Sequence, residues 1–117
     1  YLQKAGKNQL VVSASHIDKV TASLETLGIH SYFQTVLALT DYNCTDKSFL
    51  AQQYVSENNI SAECVLVIGD CIADWQMSKL LHCDCILITK GHQLRRELSV
   101  TDAVLIDSLL ELKNYIQ

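Results

Sequence analysis

Apolar residues come in short unbroken runs along this chain, and most runs are followed by a segment with helical spacing. Leu10, Val11 and Val12 in QLVVSAS (9–15) predict a first strand. A helix is expected to start at Ser15. Ser15 and Asp18 have the spacing of a capping box, and Ile17, Val20, Leu24 and Leu27 follow at helical intervals. Gly28 stands where a helix end favours a left-handed residue. TVLAL (35–39) predicts a second strand, and DKSFLAQQYVSENN (46–59) a second helix ending at Asn58 and Asn59. CVLVIG (64–69) predicts a third strand. Ala73, Met77, Leu80 and Leu81 then mark the core face of the helix after it. CDCILIT (83–89) and AVLI (103–106) predict the last two strands. GHQLRREL (91–98) reads as a loop running into a short helical piece, and SLLELKNYI (108–116) as a closing helix.

Strands that alternate apolar and polar residues have one wet face, whereas these are continuous apolar runs, as expected when both faces are buried. Strand and helix also alternate along the chain. Together these features predict an α/β fold with a doubly wound parallel sheet. No internal repeat and no linker composition divides the chain, so residues 1–117 are expected to form a single domain.

Composition narrows the function classes. An apolar content of 49% with 19% charged residues suits a globular core. A net charge of −4 argues against a general nucleic-acid or acidic-membrane surface. No apolar run approaches the roughly 18 residues needed to span a bilayer. Cys44, Cys64, Cys71, Cys83 and Cys85 are odd in number and include no C-x-x-C pair, so neither a disulfide framework nor a zinc site is indicated. Most are expected to be reduced and buried, Cys83 and Cys85 on one strand face, in a cytoplasmic protein. The chain begins at Tyr1 and contains no proline, and its first residues read as the tail of a helix already under way.

In sheets of this kind, active groups collect at the carboxyl ends of the strands. Asp70 follows the third strand directly, after Gly69, and Asp74 lies four residues on. If the chain coils at once, both carboxylates share one helical face. Such a pair suits a hard cation such as Mg²⁺. The plainer reading makes Asp70 a helix cap and Asp74 a solvated residue. Ser13 ends the first strand, where its hydroxyl could hold a phosphate oxygen beside helix amides or simply shape a turn. Lys47 opens the second helix. A cation there opposes the helix dipole unless it faces an anion, although an exposed pair with Asp46 would also account for it. Gly91 and His92 follow the fourth strand, where the histidine could touch substrate or cap the loop. His16, His30 and His82 read as surface or helix-packing residues, and Trp75 as a packing residue.

The order of these signals is more specific than any one of them. VVSAS, then TDKSFL, then VLVIGDCIADW resembles the haloacid dehalogenase-like (HAD) hydrolase superfamily, and LITKGHQLRREL with AVLIDSLLEL resembles the tail of its phosphoglycolate-phosphatase-like members. The resemblance covers essentially the whole chain, and G-D-x-x-x-D is its most specific part. It implies a HAD-like, Rossmann-type core and Mg²⁺-dependent hydrolysis of a small phosphorylated substrate through an aspartyl-phosphate. It also implies that Ser13 binds the phosphoryl group and that Lys47 neutralises the phosphate and the nucleophile. Asp70 would ligand Mg²⁺, and Asp74 would support the metal through water or by holding Lys47. Ala14 stands where the family often has Asn, and Ser48 where Pro is common; neither side chain carries the chemistry.

The family's nucleophile belongs to a D-x-D-x-T/V motif on a first core strand, and these residues contain no such motif. DYNCTD (41–46) has the wrong order. The chain is therefore expected to be the C-terminal portion of a HAD-like core lacking its first strand, completed by an N-terminal segment or a partner chain. A catalytically inactive partner-binding module remains an alternative. A phospho-acceptor receiver domain would place its acidic pair first and its lysine last, the reverse of the order here.

Overall fold

The computed structural model describes residues 1–39, 47–91 and 93–116, with the side chain of Leu39 excepted. Two compact units are present, residues 1–54 and 55–117.

In the first unit, β1 (Leu10–His16) pairs in parallel with β2 (Thr35–Leu39). Leu10 to Val12 oppose Thr35 to Leu37 in regular register, and the ladder shifts before His16 meets Leu39. The shift falls at Ser13 to Ser15, where the Ser13 hydroxyl accepts the Ser15 amide at 3.1 Å. This bulge corrects the expected helix start. The strand continues through Ser15, and α1 (Ile17–Thr26) begins only after His16, whose Nδ1 accepts the Asp18 amide at 3.2 Å. A histidine therefore caps this helix in place of the expected serine box. Leu24 is buried on the core side of α1, while Leu27 lies past the helix end and is exposed. Gly28 takes φ +71°, and the amides of Gly28 and Ile29 return to the carbonyls of Glu25 and Leu24. That closure satisfies the last carbonyls of α1, as expected for a glycine there.

The helix α2 (Lys47–Glu57) ends by the same geometry with Asn59 at φ +53°, and the Asn59 and Ile60 amides return to Ser56 and Val55.

The second unit holds a parallel sheet in the order β3 (Leu66–Gly69), β4 (Asp84–Ile88), β5 (Val104–Ile106). Between these strands run α3 (Ile72–Leu81) and the short α4 (Arg95–Leu98). Parallel ladders in both units agree with the α/β class that the apolar runs predict. Ile86 and Leu87 are successive residues of β4 and both are buried, so both faces of that strand are covered. Ile86, Ile106 and Leu112 form a core cluster that Leu66, Ile68, Ile88 and Ile116 flank.

Three expectations need correction in this unit. The third strand starts at Leu66, because residues Ala62–Cys64 form a 3-10 turn. The closing segment is a 3-10 helix over Leu109–Asn114. Leu109 and Leu110 are exposed there and Leu112 alone is buried, which leaves little packing to hold a longer α-helix. The buried face of α3 is Asp74, Met77, Ser78 and Leu81, while Ala73 and Leu80 face water. The helix is turned so that a carboxylate points inward, and hydropathy alone disfavours that choice. No helix among the described residues is long and apolar enough to cross a membrane.

The cysteines also differ from expectation. Among the four described, only Cys85 is buried, Cys71 and Cys83 are partly exposed, and Cys64 is exposed; Cys44 lies outside the described residues. Burial raises the Cys83 thiol and pushes Cys85 up to about 11. Thiolate is the reactive form, so these two thiols are protected. In the folded protein, iodoacetamide at pH 8 is expected to label Cys64 well before Cys85, as read by peptide mass mapping. Equal labelling rates at the two positions would contradict this burial pattern.

Candidate active site

At the carboxyl end of β3 the chain buries a carboxylate. Gly69 is the last residue of the strand, and a β-carbon there would lie 2.2 Å from the Asp74 carboxyl carbon. Glycine is required because Asp74 fills that space. The Asp74 side chain turns back under the strand end, with only 6% of the residue exposed. Its Oδ2 accepts the Asp70 amide at 3.0 Å, the Cys71 amide at 3.2 Å and the Cys71 thiol at 3.2 Å. Burying a carboxylate costs several kcal/mol unless its lone pairs are satisfied. Here they receive main-chain donors at the start of a helix, where the dipole also favours negative charge.

The two aspartates meet by a different route from the one their spacing suggested. Cys71 is extended at φ −145° and ψ 167°, and α3 begins at Ile72, so Asp70 lies outside the helix. It is the turn folded over Asp74, and not a shared helical face, that gathers the two carboxylates. Ligand atoms of Asp70, Cys71 and Asp74 lie within 4.8 Å of one another.

Sequence reasoning missed what lies on the other side of Asp70. A β-carbon on Gly91 would come within 2.4 Å of the Asp70 β-carbon and 2.5 Å of its Oδ2. The loop after β4 therefore rests directly on the Asp70 side chain. Two residues on, the Gln93 Oε1 accepts the Ile72 amide at 2.6 Å. His92 lies outside the described residues.

Further along the same carboxyl edge, Asp107 follows β5 as Asp70 follows β3. Its Oδ1 accepts from the Thr89 hydroxyl and, at 3.0 Å, from the Arg95 guanidinium. The Thr89 hydrogen bond and then Arg95 hold the Asp107 carboxyl below its ordinary value. The strand-end rule that singles out Asp70 would also have found Asp107. Trp75 does more than pack. Its indole N–H donates to Asp102 at 2.7 Å, and Lys79 reaches the same carboxylate at 2.6 Å while lying over the indole ring.

Asp70, Cys71 and Asp74 are thus brought together within the second unit. Ser13 sits half-buried at the β1 bulge, in the turn geometry already described, and Lys47 is the first residue of α2; both belong to the first unit. Chemically, the second unit offers a half-exposed carboxylate at a strand end, backed by a second whose Oδ2 is occupied by donors. Oxygen donors of this kind fit a hard divalent cation that keeps most of its positions for water and phosphate.

Comparison with known proteins bears on the family and the fold. Residues 1–88 match the family described as haloacid dehalogenase-like hydrolase. No curated protein sequence matches the chain. Among solved structures, a candidate phosphatase from Clostridium difficile is similar over 99% of this chain and 55% of its own, with a TM-score of 0.89 at 21% identity. A haloacid dehalogenase-like family hydrolase from Streptococcus pneumoniae is similar over 98% and 55%, with a TM-score of 0.84 at 17% identity. A candidate phosphoglycolate phosphatase from Lactobacillus delbrueckii subsp. bulgaricus gives 98% and 48%, with a TM-score of 0.84 at 22% identity. The chain spans about half the length of these proteins.

Two expectations follow from the geometry. Gly69→Ala forces a β-carbon onto an anchored carboxylate and is expected to cost about 1–3 kcal/mol in chemical denaturation. The cost should shrink in an Asp74→Ala background, and equal costs in both backgrounds would contradict the packing. For Asp107, a depressed pKa means that the folded state favours the ionised carboxylate. The stabilisation is therefore present above the ordinary aspartate value of 3.8 and is lost as pH falls through the lower folded value. Asp107→Asn should lower the melting temperature at pH 7, and the gap from wild type should close in acid below that value. A gap independent of pH would refute the assignment.

Proposed function

The chain belongs to the haloacid dehalogenase-like hydrolase family, and from that premise we propose that it forms the C-terminal portion of the catalytic core of a phosphatase. The proposed reaction is Mg²⁺-dependent hydrolysis of a small phosphomonoester. The observation that carries it is the strand-end arrangement of Asp70, braced from behind by Asp74 and overlaid by Gly91.

Each residue has a part in the proposed chemistry. Asp70 would hold the cation. When bound, that cation would offset charge on the phosphoryl oxygens, which is most of what phosphoryl transfer asks of an enzyme. Asp74 has its Oδ2 committed to the Asp70 and Cys71 amides, which supports a supporting part in the metal site. Lys47 is proposed to neutralise the phosphate and the nucleophile, and Ser13 to donate a hydrogen bond to a phosphoryl oxygen. Both assignments rest on motif position. The attacking carboxylate, which would form the aspartyl-phosphate, is proposed to come from an additional N-terminal segment or partner chain. A reducing compartment such as the cytoplasm is the proposed location, in line with an odd number of cysteines that includes no C-x-x-C pair.

One observation favours a second reading. Among the described residues β3 is paired only with β4, and β1 only with β2. A sheet edge of this kind can accept a strand from another chain, so a non-catalytic partner-binding module is the alternative.

The deciding experiment uses the natural protein with p-nitrophenyl phosphate, with and without Mg²⁺. Wild type is expected to turn over only with the cation, and Asp70→Asn to lose at least about a hundredfold in rate. Undiminished turnover in that variant would overturn the role of Asp70. No phosphatase activity in wild type would favour the binding module.

A further inference from the structure

We propose that Gln93 is a positioning residue for Asp70, acting through the backbone of the turn that carries it. The inference rests on reading Asp70 as the cation ligand. It adds a part for the loop after β4 that motif matching does not assign.

The argument starts from the amides. A helix begins with N–H groups that have no partner inside the helix. Three successive amides at this turn, those of Asp70, Cys71 and Ile72, are each met by a side chain. Asp74 accepts the first two, at 3.0 and 3.2 Å, and Gln93 accepts the third, at 2.6 Å. Asp74 is local to the turn, but Gln93 arrives from 21 positions away, on the loop leaving the neighbouring strand. It therefore ties the turn after β3 to the loop after β4. Gly91 allows that loop to lie against the Asp70 side chain, two residues before Gln93 makes its bond. Asp70 is thus fixed from two directions, through its backbone by Asp74 and across its side chain by Gly91.

A carboxylate held in place before the cation arrives loses less freedom on binding, and partners outside the ligand shell typically govern 10–100-fold in metal affinity. The relevant group on Gln93 is the side-chain oxygen. Leucine at this position keeps most of the volume and removes the acceptor. Glutamate keeps an acceptor at the same reach. Asparagine keeps the amide and shortens the reach by one methylene.

The test is a titration of the natural protein with Mg²⁺ by calorimetry, and with Mn²⁺ followed by electron paramagnetic resonance. Beside it, phosphatase rate is measured against Mg²⁺ concentration. Gln93→Leu is expected to weaken cation binding about tenfold or more, while kcat at saturating Mg²⁺ stays near wild type. Gln93→Glu is expected to bind within a few-fold of wild type. If Gln93→Leu does not fold, Gln93→Asn carries the same expectation of weakened binding. Unchanged affinity in Gln93→Leu, or in Gln93→Asn where Gln93→Leu does not fold, or equal weakening in Gln93→Glu, would overturn the inference. If wild type binds the cation but hydrolyses nothing, the proposed function fails and the binding titration still decides the part of Gln93. If wild type binds no cation, both fall.

Discussion

Everything at the carboxyl end of β3 depends on one buried carboxylate. Asp74 is inside the protein with its Oδ2 accepting the Asp70 and Cys71 amides at the start of α3, and buried main-chain donors of that kind require acceptors. That single requirement fixes its neighbours. Gly69 must lack a side chain, Cys71 must be extended, and α3 must rotate until Asp74 and Ser78 face inward in place of Ala73 and Leu80. Asp70 is then left outside the helix with its carboxylate directed at the loop after β4.

The parts of the fold that were legible in the sequence are those set by local burial. Unbroken apolar runs at 10–12, 66–68 and 85–88 identify strands, and Gly28 marks a helix end, because each depends on residues close together in the chain. What was not legible depends on partners far apart or on exceptions to hydropathy. His16 caps α1 because a bulge carries β1 past Ser15, and no propensity foretells that bulge. The core face of α3 was misjudged because a buried aspartate and a buried serine are both disfavoured by composition alone.

The candidate site divides the same way. Asp70 and Asp74 could be picked out because a carboxylate at a strand end is a signal in itself, and their spacing brought them into view together. Asp107 carries the same signal more weakly, since the strand before it is short. Gln93 carries none: its importance comes from the parallel order of β3 and β4, which places the loop after one beside the turn after the other. Left-handed residues at 28, 59 and 82 show a related limit, because only the first of them is glycine.

Trp75 is the only tryptophan in the chain, and it is held between an aspartate and an ammonium group at the start of α3. Indole emission depends on the charges beside the ring and on its contact with water. The protein therefore carries its own optical gauge at this junction: the colour and brightness of one side chain register whether α3 stays docked on the loop before β5, with no label added.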